Sequence, residues 1–178
     1  MKLLIFILLI ALILIYIYIK RNTTKKSHAR RRKQSKQVLK KIRSFDSTGQ
    51  KIAYLRKIDP FVFEEMILDI LEEKKGISII RNSRYTGDGG IDGRFKINNN
   101  LYLIQAKRYS KHIKAQDIKA FNKQIENEKA LKGLFVHTGR TGKEVYTQLS
   151  SSKKIILLSG DKLISFLHGN FNADNLTI

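Results

Sequence analysis

Seventeen consecutive apolar or tyrosine residues, Leu3 to Ile19, constrain this chain more than any other feature. As a helix the run is about 26 Å long at ~1.5 Å per residue, close to the ~30 Å hydrocarbon core of a bilayer. Tyr16 and Tyr18 stand at its C-terminal end, where interfacial aromatics are favoured. The expectation is a transmembrane anchor over residues 1–19. A cleaved signal peptide is the competing reading, but its apolar region is usually ~7–15 residues and the run has no small-x-small cleavage site after it. Lys20, Arg21, Lys25, Lys26 and then Arg30-Arg31-Arg32-Lys33 come after the run, whereas only Lys2 precedes it. The positive-inside bias therefore predicts a single-pass membrane protein with its C-terminal domain in the cytoplasm.

Charge divides the chain at the same place. Residues 1–58 hold 16 Lys/Arg against one acid, Asp46; residues 59–178 hold 19 against 14. Most of the net +20 thus precedes the expected folded domain and says little about what that domain binds. The basic residues of 20–58 are expected to lie against anionic headgroups, each contributing about 1 kcal/mol near the surface; phosphates of DNA attract the same charges. Residues 20–37 lack periodicity and read as a linker. Residues 38–58 read as two short helices broken at Ser47-Thr48-Gly49. Cysteine is absent, so a metal would need carboxylate, carbonyl or histidine ligands, a set that suits Mg²⁺.

From 59 to 178 the pattern predicts a single α/β domain. Asp59 caps a helix with Pro60 at its first position and Phe63, Ile67, Ile70 and Leu71 on one face; Gly76 ends it. Strands are expected at 77–80, 91–97 and 101–107, the last two joined by an Asn98-Asn99-Asn100 hairpin. A helix over 114–131, a strand at 134–137, a helix at 143–149, a strand at 155–158 and a helix at 161–167 complete it. This order implies a mixed sheet flanked by helices.

The chemistry-bearing residues lie around the hairpin. Gly87-Asp88-Gly89-Gly90-Ile91-Asp92-Gly93 precedes one strand, and Gln105-Ala106-Lys107 ends the other. Alternation places Gln105 and Lys107 on one face, and the turn brings Asp92 beside them. A carboxylate that holds a divalent ion and a lysine that orients or deprotonates water are what phosphodiester hydrolysis needs. Taken singly, Asp-Gly and Gly-Gly are ordinary turn formers, and Asp88 reads first as a turn residue and second as an acid supporting the metal ligands from behind. His137 and His112 read as packed or solvated, and Thr141 as a helix cap.

Asp92 followed by Gln105-x-Lys107 resembles the PD-(D/E)xK nuclease core. Phe63-Glu64, Gly87 to Gly93, Gln105-Ala106-Lys107-Arg108-Tyr109 and Lys132 to Gly139 resemble, more closely, the catalytic domain of Mrr-type restriction endonucleases, over about residues 59–168. The resemblance implies a restriction-endonuclease-like mixed sheet behind the anchor. It implies Asp92 as principal metal ligand, Gln105 in the place of the usual second acid, Lys107 as catalytic lysine and Glu64 as an additional acid near the metal. A neutral Gln105 leaves the site less negative than two acids and a glutamate would. The resemblance further implies a Mg²⁺-dependent DNA endonuclease of restriction type, with Mn²⁺ as a substitute ion and a homodimer if both strands are cut. Such enzymes usually carry a separate DNA-recognition domain, and residues 20–58 read as too short and polar to be one. The alternative is a non-catalytic, membrane-anchored DNA-binding module on the same fold.

Overall fold

The computed structural model describes residues 2–82 and 90–171, excepting the side chains of residues 2–5, 21, 24 and 25. Asp88 and its neighbours 83–89 lie outside the described residues.

Helix α1 runs unbroken from Lys2 to Arg43. The expectation of an irregular linker over 20–37 is therefore corrected: those residues are helical. The reason is packing that apolar periodicity does not register. Leu39 and Ile42 are buried in the main core, and Ser35 is fully buried. His28, Arg32 and Ser35 form one polar stripe against helix α3 (Pro60–Glu72). The apolar N-terminal part of α1 packs against nothing described: its large side chains from Phe6 to Ile19 are exposed. Among the described residues no helix is long and apolar enough to cross a membrane, so the spanning helix expected over 1–19 is not borne out in that form.

Helix α2 (Thr48–Leu55) begins at Thr48 because Ser47 caps it rather than breaking the chain. Ser47 Oγ accepts from the Gln50 amide while the Gln50 side chain accepts from the Ser47 N–H, a reciprocal capping box. Asp59 caps α3 as expected, its Oδ1 accepting from Phe61 N at 2.8 Å and Val62 N at 3.3 Å. The helix ends at Glu72, before Gly76 turns the chain at φ +80°.

The sheet is β1 (Ile77–Ile80), β2 (Gly93–Ile97), β3 (Asn100–Lys107), β4 (Lys132–His137) and β5 (Ile155–Leu158), in that spatial order. β1, β2 and β3 pair antiparallel; β4 and β5 add in parallel. Asn98 and Asn99, both at positive φ, make the two-residue turn between Ile97 and Asn100. Helices α4 (Ala115–Asn127), α5 (Lys143–Ser151) and α6 (Gly160–Leu167) follow the expected order.

Alternation along β3 separates two cores. Tyr102 and Ile104 pack with α1, α2, α3 and α6; Leu103 packs with Phe121 and Ile125 of α4 and Val145 of α5. The result is a mixed sheet between two helical layers. Gly93 lets α3 lie close on β2, since a Cβ there would stand 2.6 Å from Leu68 Cδ2. That close approach brings the N-terminal half of α3 over the end of the hairpin.

Candidate functional site

Asp92 is one residue beyond the β2–β3 ladder. Gly93 pairs with Ile104, so Asp92 falls opposite Gln105. Its amide still donates to Ile104 O at 2.8 Å, and its Oδ2 accepts from Ala106 N at 2.6 Å. The carboxylate is thus fixed against β3 by backbone contacts that need no other side chain. A pocket on the α3 side is lined by Asp92, Glu64, Glu65, His28, Arg81 and Asn82. Glu64 is 9% exposed, not the solvated acid that its helical position alone would suggest.

Gln105 is buried, and its Nε2 donates to Gly90 O at 2.9 Å. Gly90 sits at φ +89°, and a Cβ there would stand 3.1 Å from that Nε2, so both backbone and space select glycine. The donation aims the amide: Gln105 Oε1 is buried and has no hydrogen-bond partner among the described residues. A buried carbonyl oxygen left unpaired costs about 1–3 kcal/mol, and a bound cation would remove that cost.

Lys107 continues the Leu103 and Gln105 face toward α4. Its Nζ lies 3.9 Å from Asp117 Oδ1. The Tyr109 hydroxyl donates to the other oxygen, Asp117 Oδ2, at 2.9 Å. Burial, with Asp117 adding to it, pushes the Tyr109 phenol up to about 12, so it stays a donor. The structure therefore brings Glu64 and Asp92 to one pocket and sets Gln105 across from Asp92. Lys107 stands two residues further along β3 with Asp117 beside it. Among the described residues no group of three or more His, Cys, Asp or Glu is placed to hold a metal ion.

Sequence reasoning missed Asp117 and the α1 contribution. A Tyr109 to Asp117 pairing carries no short-range signature. His28 reaches the pocket only because α1 continues through the expected linker.

The restriction endonuclease family model for the Mrr catalytic domain matches residues 55–167. This chain belongs to that family. The match spans α3, the whole sheet and α6, and it contains Glu64, Asp92, Gln105 and Lys107; His28 and the rest of α1 lie outside it. Among proteins similar to this Mrr-family chain is the type IV methyl-directed restriction enzyme EcoKMrr of Escherichia coli (strain K12), 28% identical over 142 residues. That alignment covers 75% of this chain and 46% of the enzyme, so the chain spans about half the length of that relative. The MspJI restriction endonuclease, solved with a 27-mer oligonucleotide, shares the fold at TM-score 0.56 and 18% identity, over 74% of this chain and 33% of that one.

His137 behaves as a packed histidine. It is fully buried beside Phe135, with Nε2 3.3 Å from Thr141 Oγ1. Thr141 is not the cap of α5; Gly142 is. Burial pushes the His137 imidazole down to about 4 from its ordinary 6.5. The unfolded chain therefore takes up a proton below pH 6.5 that the folded chain refuses until about pH 4. Stability is full above 6.5 and is lost as the pH falls through that window. Between pH 7 and pH 5 the expected loss is about 2 kcal/mol. Thermal unfolding at the two pH values checks it, and His137→Gln, which cannot titrate, should flatten the difference.

Proposed function

We propose that this protein is a metal-dependent DNA endonuclease of restriction type, held at a membrane by the apolar end of α1. The observation that supports the catalytic part is the buried Gln105 Oε1, without a hydrogen-bond partner among the described residues, on the residue that falls opposite Asp92 in the hairpin register. Asp92, Gln105 through Oε1, and Glu64 are the residues that would hold Mg²⁺ or Mn²⁺. A bound divalent cation would polarise the scissile phosphate and lower the pKa of a coordinated water.

The chain's own residues supply the rest. Ala106 N–H donates to one oxygen of Asp92 and holds the side chain at the pocket that it lines with Glu64. Lys107 orients the attacking water and stabilises negative charge growing on the phosphate. Asp117, held in turn by Tyr109, positions that ammonium. Gly90 anchors the Gln105 amide by its nitrogen, so that its oxygen remains available. One chain carries one such site, so cutting both strands at one place calls for a second copy, and a homodimer is part of the proposal.

The membrane part rests on the exposed apolar side chains from Phe6 to Ile19. So long an apolar face left in water is a strong drive to enter lipid. The run of 17 apolar or tyrosine residues supports an anchor that buries this face in lipid. The basic residues after Ile19 favour a cytoplasmic side for the nuclease fold.

The test uses the full chain in detergent with supercoiled plasmid. Nicking or linearisation with Mg²⁺ or Mn²⁺, abolished by EDTA, is the expected result. DNA binding without cleavage under any of these ions would instead favour a binding module on the nuclease fold.

A further inference from the structure

Helix α1 carries two different sets of cations. Those facing α3 are neutralised: Arg32 pairs with Asp69 and Glu72, and Arg31 stands 4.0 Å from Asp59 and over the Phe61 ring. The others face outward. Lys26, Arg30, Lys33, Lys36 and Lys40 are all exposed. Their spacing of four, three, three and four residues returns each to the same side of the helix. Lys36 lies near enough to Glu72 to help lower that carboxyl. Lys26, Arg30, Lys33 and Lys40 form no ion pair among the described residues.

A lipid surface accounts for only the start of this stripe. Because α1 is one unbroken helix, a residue n places beyond Ile19 stands about 1.5n Å from the end of the apolar run. Lys26 is thus about 10 Å away, Lys33 about 21 Å and Lys40 about 32 Å. Headgroup charge is screened within a Debye length of about 8 Å at physiological ionic strength. The far half of the stripe is out of reach of headgroups when the helix stands out of the bilayer. A duplex, with a phosphate charge per ~1.7 Å of axis, matches a cationic line of that length. His28, on the inward face of the same helix, lines the pocket with Glu64 and Asp92.

We propose that the outward face of α1 from Lys26 to Lys40 is a track for the DNA phosphate backbone, on the helix whose inward face borders the nuclease site. This rests on the nuclease reading, and it assigns to α1 sequence-independent binding of the duplex. Contacts of this type position DNA without reading its bases.

The experiment measures duplex binding by the full chain, in discs of uncharged phosphatidylcholine and in EDTA, across a salt series. The variant is Arg30→Gln with Lys33→Gln and Lys40→Gln. Its control removes equal charge elsewhere, at the exposed Lys119, Lys153 and Lys154. The track predicts that the first variant weakens binding roughly 10- to 100-fold, and that the slope of log K against log salt falls by about 0.9 per contact removed. The control should keep most of the affinity and slope. Equal losses in both variants, or an unchanged first variant that instead loses binding to anionic vesicles, would overturn the track. Because binding is read without metal, a wild type that binds through the stripe but never cuts would overturn the nuclease reading alone.

Discussion

Asp92→Asn is expected to reduce plasmid cleavage by about a thousandfold or more while leaving the fold in place. The asparagine oxygen can still accept from Ala106 N, the contact that holds this side chain against β3. What it lacks is the charge. With Gln105 neutral, Asp92 and Glu64 are the anionic donors of the proposed set, so losing one halves the charge that holds a divalent ion. A metal's stabilisation of the phosphoryl oxygens amounts to several kcal/mol, and ~4 kcal/mol is about a thousandfold in rate. Lys107→Ala should fall within the ~10²- to 10⁴-fold range of a lost proton-transfer group. The two variants differ in a second readout. Asp92→Asn should raise the Mg²⁺ concentration needed for half-maximal cleavage, whereas Lys107→Ala should not. Cleavage assays across a metal series, with thermal unfolding as the fold control, check both. Cleavage by Asp92→Asn within a few-fold of wild type would remove Asp92 from the site.

The part of this site that is legible in the sequence is the part built from local rules. Asp59-Pro60 writes a helix start, and the asparagines at 98 and 99 write a two-residue turn. The period of two along 101–107 separates Leu103, Gln105 and Lys107 from Tyr102, Ile104 and Ala106. Once the hairpin is closed, Asp92 has to lie beside Gln105, because register follows from the turn. The surface between α1 and α3 is not legible in the same way. His28, Arg32, Ser35, Leu39 and Ile42 recur at steps of four, three, four and three, which is a helical face. Its first three members are polar, so a search for apolar periodicity passes over them and sees a linker. The matching signal is on α3, where Glu65, Asp69 and Glu72 step by four and three. Two polar stripes of equal spacing and opposite charge identify each other only when compared as a pair.

The energetic centre of that surface is Arg81, just after β1, and Arg81→Met is the substitution with the largest expected effect on stability. Its guanidinium bonds Glu65 at 3.1 Å, Asp69 at 2.8 Å and Glu72 at 2.7 Å. Burial opposes its charge, but Glu72 and Glu65 more than offset this and raise its pKa. The Glu65 and Asp69 side chains are only 1% and 4% exposed. With Arg81 gone, Arg32 still faces Asp69 and Glu72, and His28 Nδ1 is still 2.7 Å from Glu65 Oε1. Three carboxylates then share one permanent cation. Breaking a buried ion pair from one side costs about 3–5 kcal/mol, because a buried charge is left uncompensated. For a chain of this length that is a fall in Tm of roughly 6–20 °C. The partner test is Glu65→Gln on the same background. Removing the charge that Arg81 had balanced should restore part of the loss, so the double variant is more stable than the sum of the two single changes. Additive effects would mean that Glu65 does not depend on Arg81. Arg81 also precedes Asn82, whose side chain donates to Ile91 O next to Asp92. Glu65→Gln alone supplies the cleavage control, since Glu65 lines the same pocket: if that single variant cuts and the stable double variant does not, Arg81 positions the Asp92 end of the hairpin as well as holding α3.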